Sequence, residues 1–386
     1  MDSSIFMDES LKLRQPLGDP PPAKIAVFRA LQLGDLLCAT PAMRALRRAL
    51  PFAEIVLIGL PWSREFVKRF DHYVDSFLEF PGFPGLPERS YEARAVRQFL
   101  AKAQRAKFDL AIQLHGSGAI VNPMLALLGA RLTAGFYVPG EWLPDAKRFM
   151  PYPDGEHEVH RHLRLMEFLD VPSAGDELEF PLHSRDYEEF ADLASTYGIR
   201  SGEYVCIHPG ARFPSRRWPL DRFARTADGL ARLGFQIVIT GSGEEKELAD
   251  ALSDAIDSPH LNLAGKTSLG ALGVLLEGAR LLVSNDTGVS HIASALRTPS
   301  ILIVTGSDAK RWAPLDGSRH RVVRHRVACQ PCEHVVCPID HPCGTGVEVS
   351  NVLEIASELL ETFGRQTNSC RLAQRNSGAQ IALPSG

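Results

Sequence analysis

Short runs of consecutive apolar residues alternate along this chain with longer segments whose apolar positions recur every three or four residues. In the first half the runs are KIAVFRA, EIVLIGL, SFLEF, DLAIQLHG and RLTAGFYV, which predict strands, with helices predicted between them over residues 36–50 and 91–107. A polar, proline-containing passage, FLDVPSAGDELEFPL, follows. The alternation then resumes with YVCIHPG, FQIVITG, HLNLAG, ARLLVSND and PSILIVTG, and with helices predicted over 219–233, 244–256, 268–279 and 288–297. Strands built almost entirely of Val, Ile and Leu are buried on both faces, so they imply parallel sheets covered by helices. The expectation is an α/β protein made of two Rossmann-like, doubly wound domains facing a cleft, with ligands bound where strand C-termini open. No sequence repeat relates the two halves.

The length of 386 residues agrees with two domains, because single cores stop growing near roughly 250–300 residues. A net charge of −4 gives no general reason to expect nucleic acid. The N-terminal stretch MDSSIFMDESLKLRQPLGDPPP lacks the pattern of a signal peptide, and no apolar run approaches the length needed to span a bilayer. A cytoplasmic protein is expected, touching a membrane at most peripherally. Residues 1–23 and 366–386 read as loose tails.

Three junctions carry candidate chemistry. The first strand leads into RALQLGDLLCATPAMRAL, where Asp35 stands at the start of a helix. A carboxylate there either caps the helix or acts as a base kept ionised by the positive helix end. The G-x-G-x-x-G spacing of a dinucleotide site is missing, and GSGEEK supplies only its first two glycines, which argues against a nicotinamide or flavin dehydrogenase. The second junction is LLVSNDTGVSHIASAL. Successive N–H groups of Thr287, Gly288 and Val289 at a helix start make an anion site, and Asp286 suits sugar hydroxyls better than phosphate. Helix capping by Asp286 and Thr287 accounts for the local pattern equally well, as does packing for His291. The third junction, IHPGARFPSRRWPLDRF, places Arg216 and Arg217 before a helix, either as a grip on phosphate oxygens or as a solvated surface. Two anion-suited loops in one half favour a diphosphate ligand.

These blocks resemble the heptosyltransferase-like inverting glycosyltransferases of family 9. The resemblance runs from about Lys24 to Leu360 and rests on LGDLLCATPAMRALRRALP, IHPGARFPSRRWP, GSGEEKELAD followed by LAGKTSLGALGVLLEGARLLVSNDTGVSHIASAL, and CQPCEHVVCPIDHPC in that order. It implies the B-type glycosyltransferase fold, with an acceptor-binding domain over 24–180 and a nucleotide-sugar-binding domain over 181–365. It further implies transfer of a sugar, heptose first, from ADP-heptose to a lipopolysaccharide core or related glycan, with Asp35 as general base. Donor contacts fall on Gly210, Arg216, Glu244 or Glu245, Lys266, Thr267, Asp286, Thr287, Gly288 and His291. Arg216 replaces the lysine usual at that position in the family. No cofactor is required for this chemistry beyond the nucleotide-sugar substrate, because a helix end and an arginine can neutralise the leaving diphosphate.

Two further features stand outside those blocks or at their edge. Cys329, Cys332, Cys337 and Cys343 have spacing that four thiolates around a structural zinc would allow, and a reduced or locally disulfide-bonded loop is the preferred reading. Either way the cluster is expected away from the chemistry. The stretch Arg89–Lys107 carries six cations against one acid. It is a solvated helix face, or one that attracts an anionic acceptor or lipid headgroups through Arg94, Arg97 and Arg105. The competing functional readings are the same fold with another nucleotide sugar and a small-molecule or protein acceptor, and a non-catalytic sugar-nucleotide-binding module.

Overall fold

The computed structural model describes residues 16–364. The contacts divide the chain into two compact units, Met1–Pro181 and Leu182–Gly386. The first contains six strands: β1 (Lys24–Phe28), β2 (Glu54–Gly59), β3 (Ser76–Glu79), β4 (Leu110–Gln113), β5 (Leu132–Tyr137) and β6 (Phe149–Pro151). They form one parallel sheet in the order β3-β2-β1-β4-β5-β6. The second unit repeats the plan with β7 (Tyr204–His208), β8 (Gln236–Ile239), β9 (His260–Asn262), β10 (Leu281–Asn285), β11 (Ser300–Ile303) and β12 (His320–Val323), ordered β12-β11-β10-β7-β8-β9. In both sheets the chain winds outward from a central strand and then crosses back to its other side. Each unit therefore has a topological switch point, between β1 and β4 and between β7 and β10, where strand ends splay and open a ligand crevice.

Burial explains why the apolar runs announced the strands. Ile25 to Phe28 of β1 and all of β10 are buried, as expected for strands covered on both faces. One face of the first sheet packs Phe28 against Phe80 edge to face at 5.1 Å, together with Val56, Ile58, Phe99 and Ala103. In the second unit Trp218 packs on Phe223, ring centroids 5.0 Å apart, within a core that includes Val205, Ile207, Val283 and Ile303. Strands β6 and β12 are outer strands that the sequence pattern does not flag. The first is three residues long, and HRVV interrupts its apolar positions with an exposed arginine.

The helix expected over 36–50 is two helices, Leu33–Leu37 and Thr40–Ala49. Pro41 causes the break, since it has no N–H to offer the carbonyl four residues back. The Thr40 hydroxyl donates to that carbonyl, of Leu37, at 2.8 Å instead. The helix expected over 244–256 begins as a single 3-10 turn, Gly243–Glu245, before Lys246–Ala255. Of the expected N-terminal tail, residues 16–23 dock on the first unit: Pro16 is buried and its carbonyl accepts from Arg148 Nε at 2.7 Å. The rest of that tail and the segment 366–386 lie outside the described residues. Among the described residues no helix is long and apolar enough to cross a membrane.

Candidate active site

The first unit presents Asp35 just beyond the C-terminal end of β1. Asp35 is the third residue of the Leu33–Leu37 helix, and the N-cap is Gln32. The Gln32 backbone N–H donates to Asp35 Oδ2 at 3.2 Å, half of a reciprocal capping box. The side chain keeps 21% of its surface exposed. Behind it lies Arg29, the charged residue of the KIAVFRA run, fully buried. Arg29 Nη2 stands 3.6 Å from Asp35 Oδ1 and 3.0 Å from Glu158 Oε1, and its Nε donates to the Asp35 carbonyl at 2.6 Å. Its Nη1 meets the Leu114 carbonyl and lies 3.0 Å from His162 Nε2. Burial, reinforced by the Arg29 charge, pushes His162 down to about 3, so the ring is neutral. Across the switch point, His115 accepts from the Ala30 N–H through Nδ1 at 3.2 Å, and its Nε2 is 3.2 Å from Glu88.

In the second unit Asn285 ends β10, between β7 and β11. This side chain is fully buried. Its oxygen accepts from the Trp218 N–H at 2.9 Å, and its nitrogen donates to the carbonyls of Pro209 at 2.8 Å and Gly210 at 3.3 Å. Asn285 thus ties both ends of the 209–218 loop to the point where β10 gives way to the helix Gly288–Ala295. Thr287 is the N-cap of that helix, and its side chain makes no capping bond. Asp286 is half-buried and outside the helix, so the local pattern is not a side-chain cap by Thr287. His291 is buried, with its ring 6.5 Å from that of Trp312.

Arg216 ends the 3-10 turn Pro214–Arg216, its guanidinium 5.2 Å from the Phe213 ring. Its Nε is buried and meets no protein acceptor among the described residues. Such a donor is costly unless something else accepts from it, and an anionic ligand can. Arg217 is turned back, donating from Nε to the Ala211 carbonyl at 3.0 Å.

Glu245, rather than Glu244, faces this site. Glu244 is exposed, whereas Glu245 lies against Gly210, where a Cβ would overlap its Oε1, and its Oε2 accepts from the Ser242 N–H at 2.8 Å. A side chain at position 210 would push the Glu245 carboxylate out of this place. Burial alone would raise the Glu245 carboxyl, but the His208 ring, the Ser242 bonds and Arg217 outweigh it and hold it below its usual range. Burial likewise lowers His208, whose Nδ1 sits 3.1 Å from the Thr240 hydroxyl. Lys266 is exposed, bonded to the Asn262 carbonyl at 2.9 Å and 5.1 Å from the Tyr197 ring. Its ammonium is held on its own loop, with Thr267 beside it, and the structure does not bring it to Asn285.

The profile of Glycosyltransferase family 9 (heptosyltransferase) matches residues 96–342. The chain belongs to glycosyltransferase family 9. That match contains every residue of the second site and begins downstream of Asp35. Among curated relatives, this glycosyltransferase is similar to lipopolysaccharide heptosyltransferase 2 of Escherichia coli K12, 32% identical over 78% of this chain and 88% of that protein. It is also similar to lipopolysaccharide heptosyltransferase 3 of the same strain, 25% identical over 73% and 82%. Solved structures share the fold. A family 9 glycosyltransferase from Veillonella parvula superposes with a TM-score of 0.75 at 19% identity, covering 88% of this chain and 98% of that one. The E. coli ADP-heptose lipopolysaccharide heptosyltransferase II gives 0.68 at 21%, covering 88% and 99%. The E. coli heptosyltransferase WaaC, solved with ADP, gives 0.63 at 17%, covering 87% and 99%.

The cysteine-bearing segment of the glycosyltransferase is not remote from its second site. The Ser215 N–H donates to the Val335 carbonyl at 3.1 Å, and the Ser215 hydroxyl to the His334 carbonyl at 2.5 Å. His341 Nε2 lies 2.9 Å from the Ser215 carbonyl, and the Cys332 N–H donates to Gly306 at 2.7 Å. The segment therefore braces the turn that carries Arg216. Cys329, Cys332, Cys337 and Cys343 are free thiols, and among the described residues no group of three or more His, Cys, Asp or Glu is arranged to hold a metal. Burial, followed by the neighbouring Cys337 and Cys329, raises the Cys343 thiol. On the helix Ala93–Ala106, Phe99 and Ala103 are buried while Arg94, Arg97 and Arg105 are exposed. With Gln98, Ala101 and Lys102 these three line a shallow surface depression that contains no acid.

Proposed function

We propose that this enzyme is an inverting heptosyltransferase that moves heptose from ADP-heptose to a lipopolysaccharide core acceptor. The observation that carries the donor assignment is the Asn285 clamp, which ties the 209–218 loop, with Arg216 and its unpaired Nε on it, to the end of β10 where the Gly288–Ala295 helix follows. Helix N–H groups and a guanidinium suit the negative charge that collects on a departing diphosphate. Asp286 accepts hydrogen bonds from the heptose hydroxyls, His291 lines the same pocket, and Glu245 takes the ribose hydroxyls. In the reaction the acceptor hydroxyl gives its proton to Asp35 as its oxygen bonds to the anomeric carbon. The bond from that carbon to the diphosphate breaks and ADP leaves, so a single displacement inverts the centre. ADP-bound and ADP-heptose-named relatives support the choice of nucleotide.

Asp286→Ala tests the donor half. Loss of a charged acceptor costs about 1.5–3 kcal/mol, so calorimetric affinity for ADP-heptose is expected to fall about 10- to 150-fold. Unchanged affinity in a folded variant reduces Asp286 to a structural residue. A parallel titration with ADP-, UDP- and GDP-sugars checks the base, and preference for UDP or GDP overturns the ADP-heptose assignment.

The first unit is the acceptor-binding unit in this reading, with the exposed cations of Ala93–Ala106 attracting the anionic glycolipid at the cytoplasmic face of the membrane. Charge reversal at Arg94, Arg97 and Arg105 together is expected to raise the Michaelis constant for the acceptor about tenfold at low salt and to leave donor affinity alone. A defect confined to the donor side removes this helix from acceptor binding.

A further inference from the structure

Behind Asp35 the first unit buries more charge than a capping box needs. Arg29, Glu158, Arg161 and His162 are each at most 2% exposed, although burying charges is costly and a structural role could be filled by apolar residues. Their arrangement is directional. Glu158 gives Oε1 to Arg29 Nη2 at 3.0 Å and Oε2 to Arg161, and the same Arg29 Nη2 stands 3.6 Å from Asp35 Oδ1. With His162 neutral, two cations balance two carboxylates.

We infer that Glu158 is a positioning residue for Asp35: by sharing Arg29 with it, Glu158 sets how strongly Asp35 holds a proton. The inference rests on the reading of Asp35 as general base. A guanidinium held only by Asp35 would favour the carboxylate so strongly that it would be a poor base. Glu158 draws part of that charge away and adds a negative charge of its own, and both effects raise the proton affinity of Asp35. The Leu114 carbonyl and His162 Nε2 fix the guanidinium from the remaining sides, so it cannot swing wholly to either carboxylate. Across the switch point stand two further titratable groups, His115, bonded to the Ala30 N–H, and Glu88 beyond it.

The test is a carbon-13 NMR titration of the full chain labelled at aspartate carboxyls, with the Asp35 signal identified by its loss in Asp35→Asn. Glu158→Gln keeps the shape and removes the charge, and is expected to move the Asp35 midpoint about one pH unit lower. Arg161→Gln, on the opposite oxygen of Glu158, frees that carboxylate to draw harder on Arg29 and is expected to move the midpoint upward. A structural role alone gives no such opposite pair. The acidic limb of the pH–rate profile, measured with ADP-heptose and heptose-deficient lipopolysaccharide, should move in the same two directions. An unmoved or raised midpoint in Glu158→Gln overturns the inference. Should that variant not fold, Arg161→Gln decides, with an upward shift in support and no shift against. If the midpoints move as expected while Asp35→Asn retains full transfer, the coupling stands and the base assignment fails.

Discussion

Asp35→Asn is expected to lower transfer from ADP-heptose by about 10²- to 10⁴-fold, the usual contribution of a general base, with donor affinity unchanged. The amide oxygen can still accept from the Gln32 N–H, and Arg29 keeps Glu158, His162 and the Leu114 carbonyl, so the melting temperature should barely move. Asp35→Ala separates chemistry from capping. It loses both and should cost about 1 kcal/mol of stability, the ordinary worth of a helix cap. Steady-state transfer assays alongside thermal melts of the two variants make the comparison. Near-normal transfer by Asp35→Asn, with a loss confined to the stability of Asp35→Ala, would show that the carboxylate only closes the first turn of Leu33–Leu37.

The largest combined loss of stability and donor binding is expected at Asn285. Its three hydrogen bonds join β10 to both ends of the 209–218 loop, and all of them are buried. Alanine leaves the Trp218 N–H and the Pro209 and Gly210 carbonyls without this partner. Buried groups stranded in this way cost about 1–3 kcal/mol each, and local relaxation recovers part of it, so urea denaturation should show a loss of about 3 kcal/mol. ADP binding should weaken at least tenfold even where the variant is folded, because the turn carrying Arg216 loses its anchor. Wild-type stability and ADP affinity in Asn285→Ala would refute the clamp.

The site residues differ in how far their sequence neighbourhoods declared them. Asp35, Asp286 and Gly288 stand where a continuous apolar run meets a helical pattern, and a strand-to-helix junction is a local event. Glu245 was ambiguous because two adjacent glutamates share one local pattern. The turn of the Gly243–Glu245 helix, and the capping bond from Ser242, direct one to Gly210 and the other to solvent. Lys266 enters the donor set only through the family resemblance, since its local sequence carries no separate signal for that role. Its reach back to Asn262 depends on the path of that loop in space.

What the sequence by itself determined is therefore the strand runs, the α/β class with parallel sheets, and the junctions at which charged residues leave the strands, because hydrophobic periodicity and helix-start chemistry are read within a few residues. The order of the strands, the same in both units without any shared sequence repeat, was decided only in three dimensions. So was the use of Arg29, which in sequence is one cation at the end of an apolar run and in the fold meets Glu158 and His162, 129 and 133 residues away. The cysteine segment shows the same division: its thiol spacing suggested a self-contained cluster, yet its His334 carbonyl and His341 ring brace Ser215 more than a hundred residues upstream. Contacts of that range are fixed by which strand ends the sheet brings together, and no local pattern encodes that choice.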